Sequence, residues 1–137
     1  VIVLTVPANV TAEIELEDAR RTMAGSLATE MMEEILAKDF DDLAGSTVDW
    51  SGLNRSGFST MGDYDGYSEP AGGITDIHGV PMDDPVASEL TRNVQVDYVY
   101  VPGQDTTHPR SFAWIQVVVA HDGDPIQTLT RLAYQSR

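Results

Sequence analysis

The sequence predicts an α+β domain in which a long N-terminal α-helix packs on a C-terminal antiparallel β-meander, with a long irregular acidic segment between them. Two observations indicate this fold class. Apolar residues follow a helical period from about residue 8 to residue 40, whereas the last third of the chain alternates between apolar and polar residues. Elements that are segregated along the chain in this way are typical of α+β domains.

The N-terminal pattern forms a rod that is longer than a small domain is wide. At about 1.5 Å per residue, a helix of about 30 residues is about 45 Å long. One apolar stripe at spacings of mostly three and four is predicted along it, comprising Ile14, Leu16, Ala19, Met23, Leu27, Met31, Ile35 and Leu36. Part of this rod therefore needs partners outside its own domain. Glu30, Glu33 and Glu34 are expected on the solvated face.

Residues 43–89 form a loop-rich segment of turn-forming residues with scattered aromatic side chains. Its turn Asp63-Tyr64-Asp65-Gly66 resembles the start of a calcium loop, so Asp63 and Asp65 are candidate ligands for Ca²⁺. A later bidentate glutamate is not in register, and an ordinary Asx turn is the alternative. Trp50, Tyr64 and Tyr67 either form a binding surface or pin the loop to the core.

Residues 90–137 are expected to form an antiparallel sheet. Strands are predicted at residues 91–101, 111–120 and 126–134, and Val94, Val96, Tyr98 and Tyr100 should share one face of the first strand. The turn His121-Asp-Gly-Asp-Pro125 has Asp-Gly at its centre, which indicates a hairpin. The predicted organisation is thus a helical rod at residues 1–42 and a globular head at residues 43–137, within one structural domain.

Composition excludes several classes of function. The 137 residues contain 8 basic and 22 acidic side chains, for a formal charge of −14, and no cysteine. Binding of nucleic acid requires clustered Lys and Arg, so nucleic acid is not an expected partner. No catalytic motif is present, and we do not expect an enzyme. A hydrolase that uses Asp63 and Asp65 is disfavoured, because both acids lie in an open turn.

The order of these segments resembles the type IV pilin-like superfamily, which comprises pilins and pseudopilins, and most closely the minor pilins of the mannose-sensitive haemagglutinin type. Four segments carry the resemblance: residues 28–42, 55–58, 62–69 and 90–98, followed by the closing hairpin. The basic leader, the peptidase site and the hydrophobic helix with its glutamate, which family members have, are not in this sequence.

The resemblance implies a structural subunit of a type IV pilus-like or type II secretion pseudopilus filament, located at the bacterial cell envelope or surface. Its partners would be copies of itself or related subunits and, through a hydrophobic N-terminal segment, the inner membrane before assembly. Residues 1–6 would be the end of that hydrophobic half-helix, with Pro7 at a kink. The residues expected to mediate assembly or helix packing are Val1, Val3, Leu4, Val6, Pro7, Ile14, Leu16, Met23, Leu27, Met31 and Ile35.

A second hypothesis belongs to a different functional class. The chain would be an adhesive or ligand-binding tip module whose acidic loop, with or without calcium, presents Trp50, Tyr64 and Tyr67 to a ligand. Exposed aromatic side chains beside oxygen-rich turns suit such binding, whereas buried ones serve only to fix the loop. The exposure of these three side chains distinguishes the two hypotheses.

Overall fold

A computed structural model describes residues 8–40 and 55–135. Helix α1 spans Ala8–Leu36, and strands β1 to β4 span Ser68–Glu69, Leu90–Val99, Phe112–His121 and Asp124–Tyr134. Short 3-10 turns lie at Arg55–Gly57, Met61–Tyr64 and Ala87–Glu89. The predicted α+β class is confirmed: one long N-terminal helix packs on an antiparallel sheet. No helix within the described ranges combines the length and apolar character needed to cross a bilayer.

The sheet is a meander with the strand order β1-β2-β3-β4. Strand β2 pairs antiparallel with β3 along its whole length, so that Val94 lies opposite Val117. Strands β3 and β4 are joined at Asp122 and Gly123, both with positive φ, as a two-residue hairpin turn of type I′ requires. The predicted hairpin is therefore confirmed.

The loop-rich segment contributes a fourth strand that the sequence analysis did not predict. Strand β1 has only two residues and pairs with the start of β2, where Glu69 lies opposite Arg92. The same segment also returns to the end of the helix, where Asp39 and Thr60 form an isolated bridge. A strand of two residues is too short to show an alternating pattern in the sequence. Its position is set by its pairing with β2.

The core lies between the inner face of the sheet and the C-terminal half of α1. The sheet contributes alternate residues of β2 and β3, including Val94, Val96 and Ile115, all of them buried. The helix contributes Ala24, Leu27, Ala28, Met31, Met32 and Ile35, which are at most 3% exposed. Tyr98 is half-buried beneath Phe40, and Tyr100 is exposed beyond the end of β2, so the predicted face of β2 holds only as far as Tyr98.

The sheet covers only the middle of the predicted apolar stripe of the helix. Ile14, Leu16 and Ala19 are exposed, and so is Leu36. A spacing of four residues advances about 400° around a helix of 3.6 residues per turn, so such a stripe drifts by about 40° at each step. The drifting stripe meets the flat face of the sheet only over its later part, from the half-buried Met23 to Ile35.

Candidate functional site

The head covers the C-terminal half of α1 but leaves the side chains at the start of the helix uncovered. Every side chain from residue 10 to residue 19 is exposed. These ten residues form about 15 Å of helix. Three of them are large and apolar, with Val10 38%, Ile14 53% and Leu16 39% exposed. We call residues 10–19 the protruding segment; it combines apolar side chains with four carboxylates, Glu13, Glu15, Glu17 and Asp18.

A buried ion cluster fixes the other half of the helix to the head. Arg55 and Arg92 are fully buried, an unusual environment for arginine. The Nε of Arg55 donates to both oxygens of Glu34 on α1, at 2.8 and 3.0 Å, and its Nη1 donates to Glu69 at 3.0 Å. The Nε of Arg92 donates to the other oxygen of Glu69. Two arginines and two glutamates therefore bring together α1, the loop segment, β1 and β2.

The two arginines also donate to backbone carbonyls, and Arg55 Nη1 donates to the hydroxyls of Thr75 and Tyr67, at 2.9 and 3.5 Å. Arg92 Nη1 donates to the carbonyl of Leu27 in α1 at 3.1 Å. Its Nη2 and Arg55 Nη2 both donate to the carbonyl of Thr75, at 3.0 and 2.9 Å. Glu30, whose side chain is 42% exposed, lies 3.8 Å from Arg55 and 3.9 Å from Arg92. Since a buried charge is tolerated only when it is paired and hydrogen-bonded, these contacts explain how both arginines remain in the core.

The tyrosines next to the cluster respond to the same charges. Tyr64 donates its hydroxyl proton to Glu34 at 2.8 Å, and its burial together with this hydrogen bond raises the pKa of Tyr64 well above its ordinary value. Burial also raises the pKa of Tyr67. For Arg55, burial alone would lower the pKa, but the hydrogen bonds to Tyr67 and Glu34 outweigh it and raise the pKa further. These interactions therefore keep Arg55 charged and keep Tyr64 and Tyr67 neutral.

The expected site residues fall into three groups. Val1, Val3, Leu4, Val6 and Pro7 lie outside the described residues, as does Trp50. Ile14 and Leu16 are exposed on the protruding segment, whereas Met23, Leu27, Met31 and Ile35 pack on the chain's own sheet. This last set stabilises the fold of the single chain, because its apolar surface is already covered.

Two of the three residues proposed for an aromatic binding surface pack against the core. Tyr64 is fully buried, and Phe58 packs edge-on against it with the ring centroids 4.8 Å apart. Tyr67 is half-buried against the same phenylalanine at 5.7 Å. The two tyrosines therefore pin the loop segment to the core, which is the alternative considered from the sequence.

The two candidate calcium ligands have separate structural roles. Asp63 accepts hydrogen bonds from the backbone N–H groups of Ser59 and Thr60, at 2.9 and 3.0 Å. Although partial burial opposes it, these bonds hold the pKa of Asp63 below its ordinary value. Asp65 instead accepts from the N–H of Val96 at 3.0 Å. Within the described ranges, no three histidine or carboxylate side chains are grouped so that they could hold a metal ion.

The ion cluster is the feature that sequence reasoning missed. Glu34 was expected on the solvated face of the helix, but it is 9% exposed and paired with Arg55. One signal was available for Arg92: it is in phase with Val94 and Val96 in the alternation of β2, so it must point inward with them. Arg55 and Glu69 lie in irregular segments, where no period indicates which side chains are buried.

An open cleft lies where the protruding segment passes the β3–β4 hairpin. Its volume is about 710 Å³. One wall consists of charged residues of α1, and the other runs from His121 to Gln127 along the hairpin. Arg20 forms an ion pair at 2.9 Å with Glu89, which does not itself line the cleft, and Arg21 pairs with Glu17 of its own helix at 3.1 Å. The cleft therefore carries both signs of charge at the root of the protruding segment.

Comparison with known proteins does not add to this description. No protein-family model, no curated protein and no solved structure matches the chain. The resemblance to pilins is carried by the segments quoted above and stays a prediction.

Proposed function

We propose that this protein is a structural subunit of a filament of the type IV pilus or pseudopilus kind, and that it assembles through its N-terminal helix. The observation that carries the proposal is the contrast within α1: residues 10–19 are exposed, including three large apolar side chains, whereas the following half of the helix is buried against the sheet. An exposed apolar helical surface is the kind of surface that associates with other subunits.

The anchor of the helix supports the same proposal. Contacts between subunits transmit force to the head only if the helix cannot slide over the sheet. Arg92 holds the Leu27 carbonyl, and Arg55 holds Glu34 about two turns further along the helix. Because these bonds are directional and buried, any axial shift of the helix would leave charges unpaired in the core. The rod and the head should therefore move as one rigid unit.

The acidic surface suits subunits that meet only through selected contacts. With a formal charge of −14, heads repel one another unless a specific interface overcomes the repulsion. A helix that extends from one head and packs against a different surface of the next subunit makes a heterologous contact, and such contacts build open helical assemblies. The proposed location is the bacterial cell envelope or surface, where such filaments are found.

Negative-stain electron microscopy tests this proposal with two substitutions at sites of matched exposure. Ile14, on the protruding segment, is 53% exposed, and Leu132, on β4, is 52% exposed. We expect the unmodified chain to form filaments, Ile14→Gln to abolish or shorten them, and Leu132→Gln to leave them intact. A truncated chain that begins at Glu17 should give only isolated particles.

Circular dichroism of each variant serves as the folding control. Both substitutions remove a half-exposed aliphatic side chain, so each should change the free energy of unfolding by no more than about 1 kcal/mol. Isolated particles from the unmodified chain at high concentration would contradict the proposal. Filaments of equal length from Ile14→Gln and the unmodified chain would show that the protruding segment is not the assembly surface.

A further inference from the structure

The face of α1 that contacts the sheet is charged before Ala24 and apolar from Ala24 onward. From that residue onward the face is apolar and buried. Counting back from Ala24 at helical spacings of three and four, the same face carries Arg20, Glu17 and Glu13, with Arg21 beside them. All four of these charged residues line the cleft at the hairpin. The side chains of Glu17 and Arg21 are 63% and 66% exposed. The head therefore leaves Glu17 and Arg21 open to solvent, whereas Arg20, with a side chain 23% exposed, is already paired with Glu89 at 2.9 Å.

The order of the charges along this face selects a partner. The two acids come first in the chain and the two arginines follow. A second helix with the same order, laid antiparallel, would place acids opposite arginines at both ends and the two Glu17 side chains together at the centre, whereas a parallel copy would place like charges together at every position. Electrostatic complementarity of this kind fixes partner and orientation rather than supplying most of the affinity.

We propose that the cleft binds the protruding segment of a second copy of this chain, in a two-fold antiparallel pair in which Glu13 of each copy faces Arg21 of the other. The size of the cleft suits this occupant. A helix about 10 Å in diameter with a rise of 1.5 Å fills about 120 Å³ per residue. The cleft of about 710 Å³ thus accommodates about six residues, one and a half turns.

Two features favour a second copy over contacts within one chain or with an unrelated surface. Glu13 and Arg21 are about 12 Å apart along one helix, too far to pair with each other. Two of the seven basic residues within the described ranges, Arg55 and Arg92, are buried in the ion cluster. Arg21, whose side chain is 66% exposed, is therefore one of the few positive charges that an acidic second copy can reach, while most other orientations bring acids together.

The pair uses the segment on which the proposed function rests, but it is a closed two-fold contact. It would act as a building block, and Leu16, which lies about 140° around the helix from Arg21, would remain for the contact between pairs. The two ideas can therefore fail separately, because pairing is measured as a dimer in solution and assembly as a filament.

Charge reversal tests the pair through sedimentation velocity. We expect the unmodified chain to form dimers that weaken as salt is added. Glu13→Arg alone and Arg21→Glu alone should each weaken dimer formation at least tenfold, because both ends of the pair then carry like charges. Mixing the two single variants should restore the dimer. The positive charge introduced at position 13 of one copy then faces the negative charge introduced at position 21 of the other, and the unchanged residues pair at the second end.

Glu15→Arg, on the far side of the helix, is the matched control and should dimerise at least as well as the unmodified chain.

An engineered cysteine gives an independent readout, because the chain contains none. Position 17 lies midway between positions 13 and 21, so the two-fold axis brings it next to its own copy. Glu17→Cys should form a disulfide-linked dimer under mild oxidation, whereas Glu15→Cys should remain largely monomeric. A monomeric unmodified chain at high concentration, dimers indifferent to both reversals, or equal crosslinking at positions 15 and 17 would each overturn the pairing. Filaments that persist under those outcomes would leave the proposed function standing.

Discussion

The two halves of α1 have similar composition but opposite environments. Both contain aliphatic and charged side chains in helical order, yet residues 10–19 are all exposed, whereas Leu27, Met31 and Ile35 are at most 1% exposed. Charge follows the same division. The protruding segment keeps its carboxylates in solvent, whereas the C-terminal half buries Glu34 against Arg55. Exposure in this helix is therefore decided by where the sheet lies and not by the residues themselves.

This contrast separates folding from assembly within one element. The buried half stabilises the monomer, because its apolar surface and its ion cluster are satisfied within the chain. The exposed half contributes little to the stability of the monomer, because its side chains make few contacts there. Substitutions that affect the two halves should therefore give different phenotypes. Two comparisons test that expectation, and a third concerns the loop that carries part of the ion cluster.

The largest effect should come from the arginine that reaches the helix backbone. Arg92→Ala removes the partner of Glu69 and the donor to the Leu27 carbonyl, and leaves a buried carboxylate with less compensation. Breaking a buried pair in this way costs about 3–5 kcal/mol of unfolding free energy. Chemical denaturation monitored by circular dichroism measures this loss.

Arg21→Ala is the matched control in the exposed half. Arg21 pairs with Glu17 at 3.1 Å, but both side chains are about two-thirds exposed. Exposed pairs of this kind contribute about 0.3–0.5 kcal/mol. Equal losses for Arg92→Ala and Arg21→Ala would show that the ion cluster does not anchor the helix.

A smaller contrast is expected between two apolar residues of α1. Met31 is fully buried in the core, so Met31→Ala should lower the free energy of unfolding by about 2–5 kcal/mol. Ile14→Ala, at a position 53% exposed, should change it by about 0.5 kcal/mol or less. Urea denaturation of both variants at a concentration where the chain is monomeric gives the comparison. A loss above about 2 kcal/mol for Ile14→Ala would mean that the protruding segment is packed in the monomer.

The smallest effect concerns the pH dependence of the loop that carries part of the ion cluster. Hydrogen bonds from Ser59 and Thr60 hold the pKa of Asp63 below its ordinary value of about 3.9. Its contribution to stability is therefore complete above the pKa of the unfolded chain and is lost as the pH falls through the lower pKa of the folded chain. The stability of the unmodified protein should decline below about pH 4.

Asp63→Asn provides the comparison, because an amide cannot become charged. Its deficit in stability relative to the unmodified chain should be greatest at neutral pH and should shrink below about pH 4. Thermal melts from acidic to neutral pH measure both curves. A deficit that stays constant across this range would show that the Asp63 charge does not contribute.

Much of the fold was predictable from the sequence because it follows from local periodicity. The helix was expected to start near residue 8 and the hairpin turn at Asp122-Gly123, and both agree with the structure. Strand β1 was missed, since two residues carry no period. Of the site residues, Ile14 and Leu16 were recognised as assembly candidates, but Glu34 was assigned to the solvated face, because a local pattern cannot show that Arg55 comes to lie beside it.

The sequence by itself determined the α+β class, the long rod, the acidic surface and the alternation that points Arg92 inward. Those properties depend on neighbours within a turn or a strand, where the spacing of residues fixes the direction of each side chain. Only the tertiary structure decided which half of the rod is covered and how two buried arginines are neutralised. Those outcomes depend on Glu34, Arg55, Glu69 and Arg92 meeting in space. Because burying an unpaired charge is unfavourable, these four side chains can be buried only when all of them are paired.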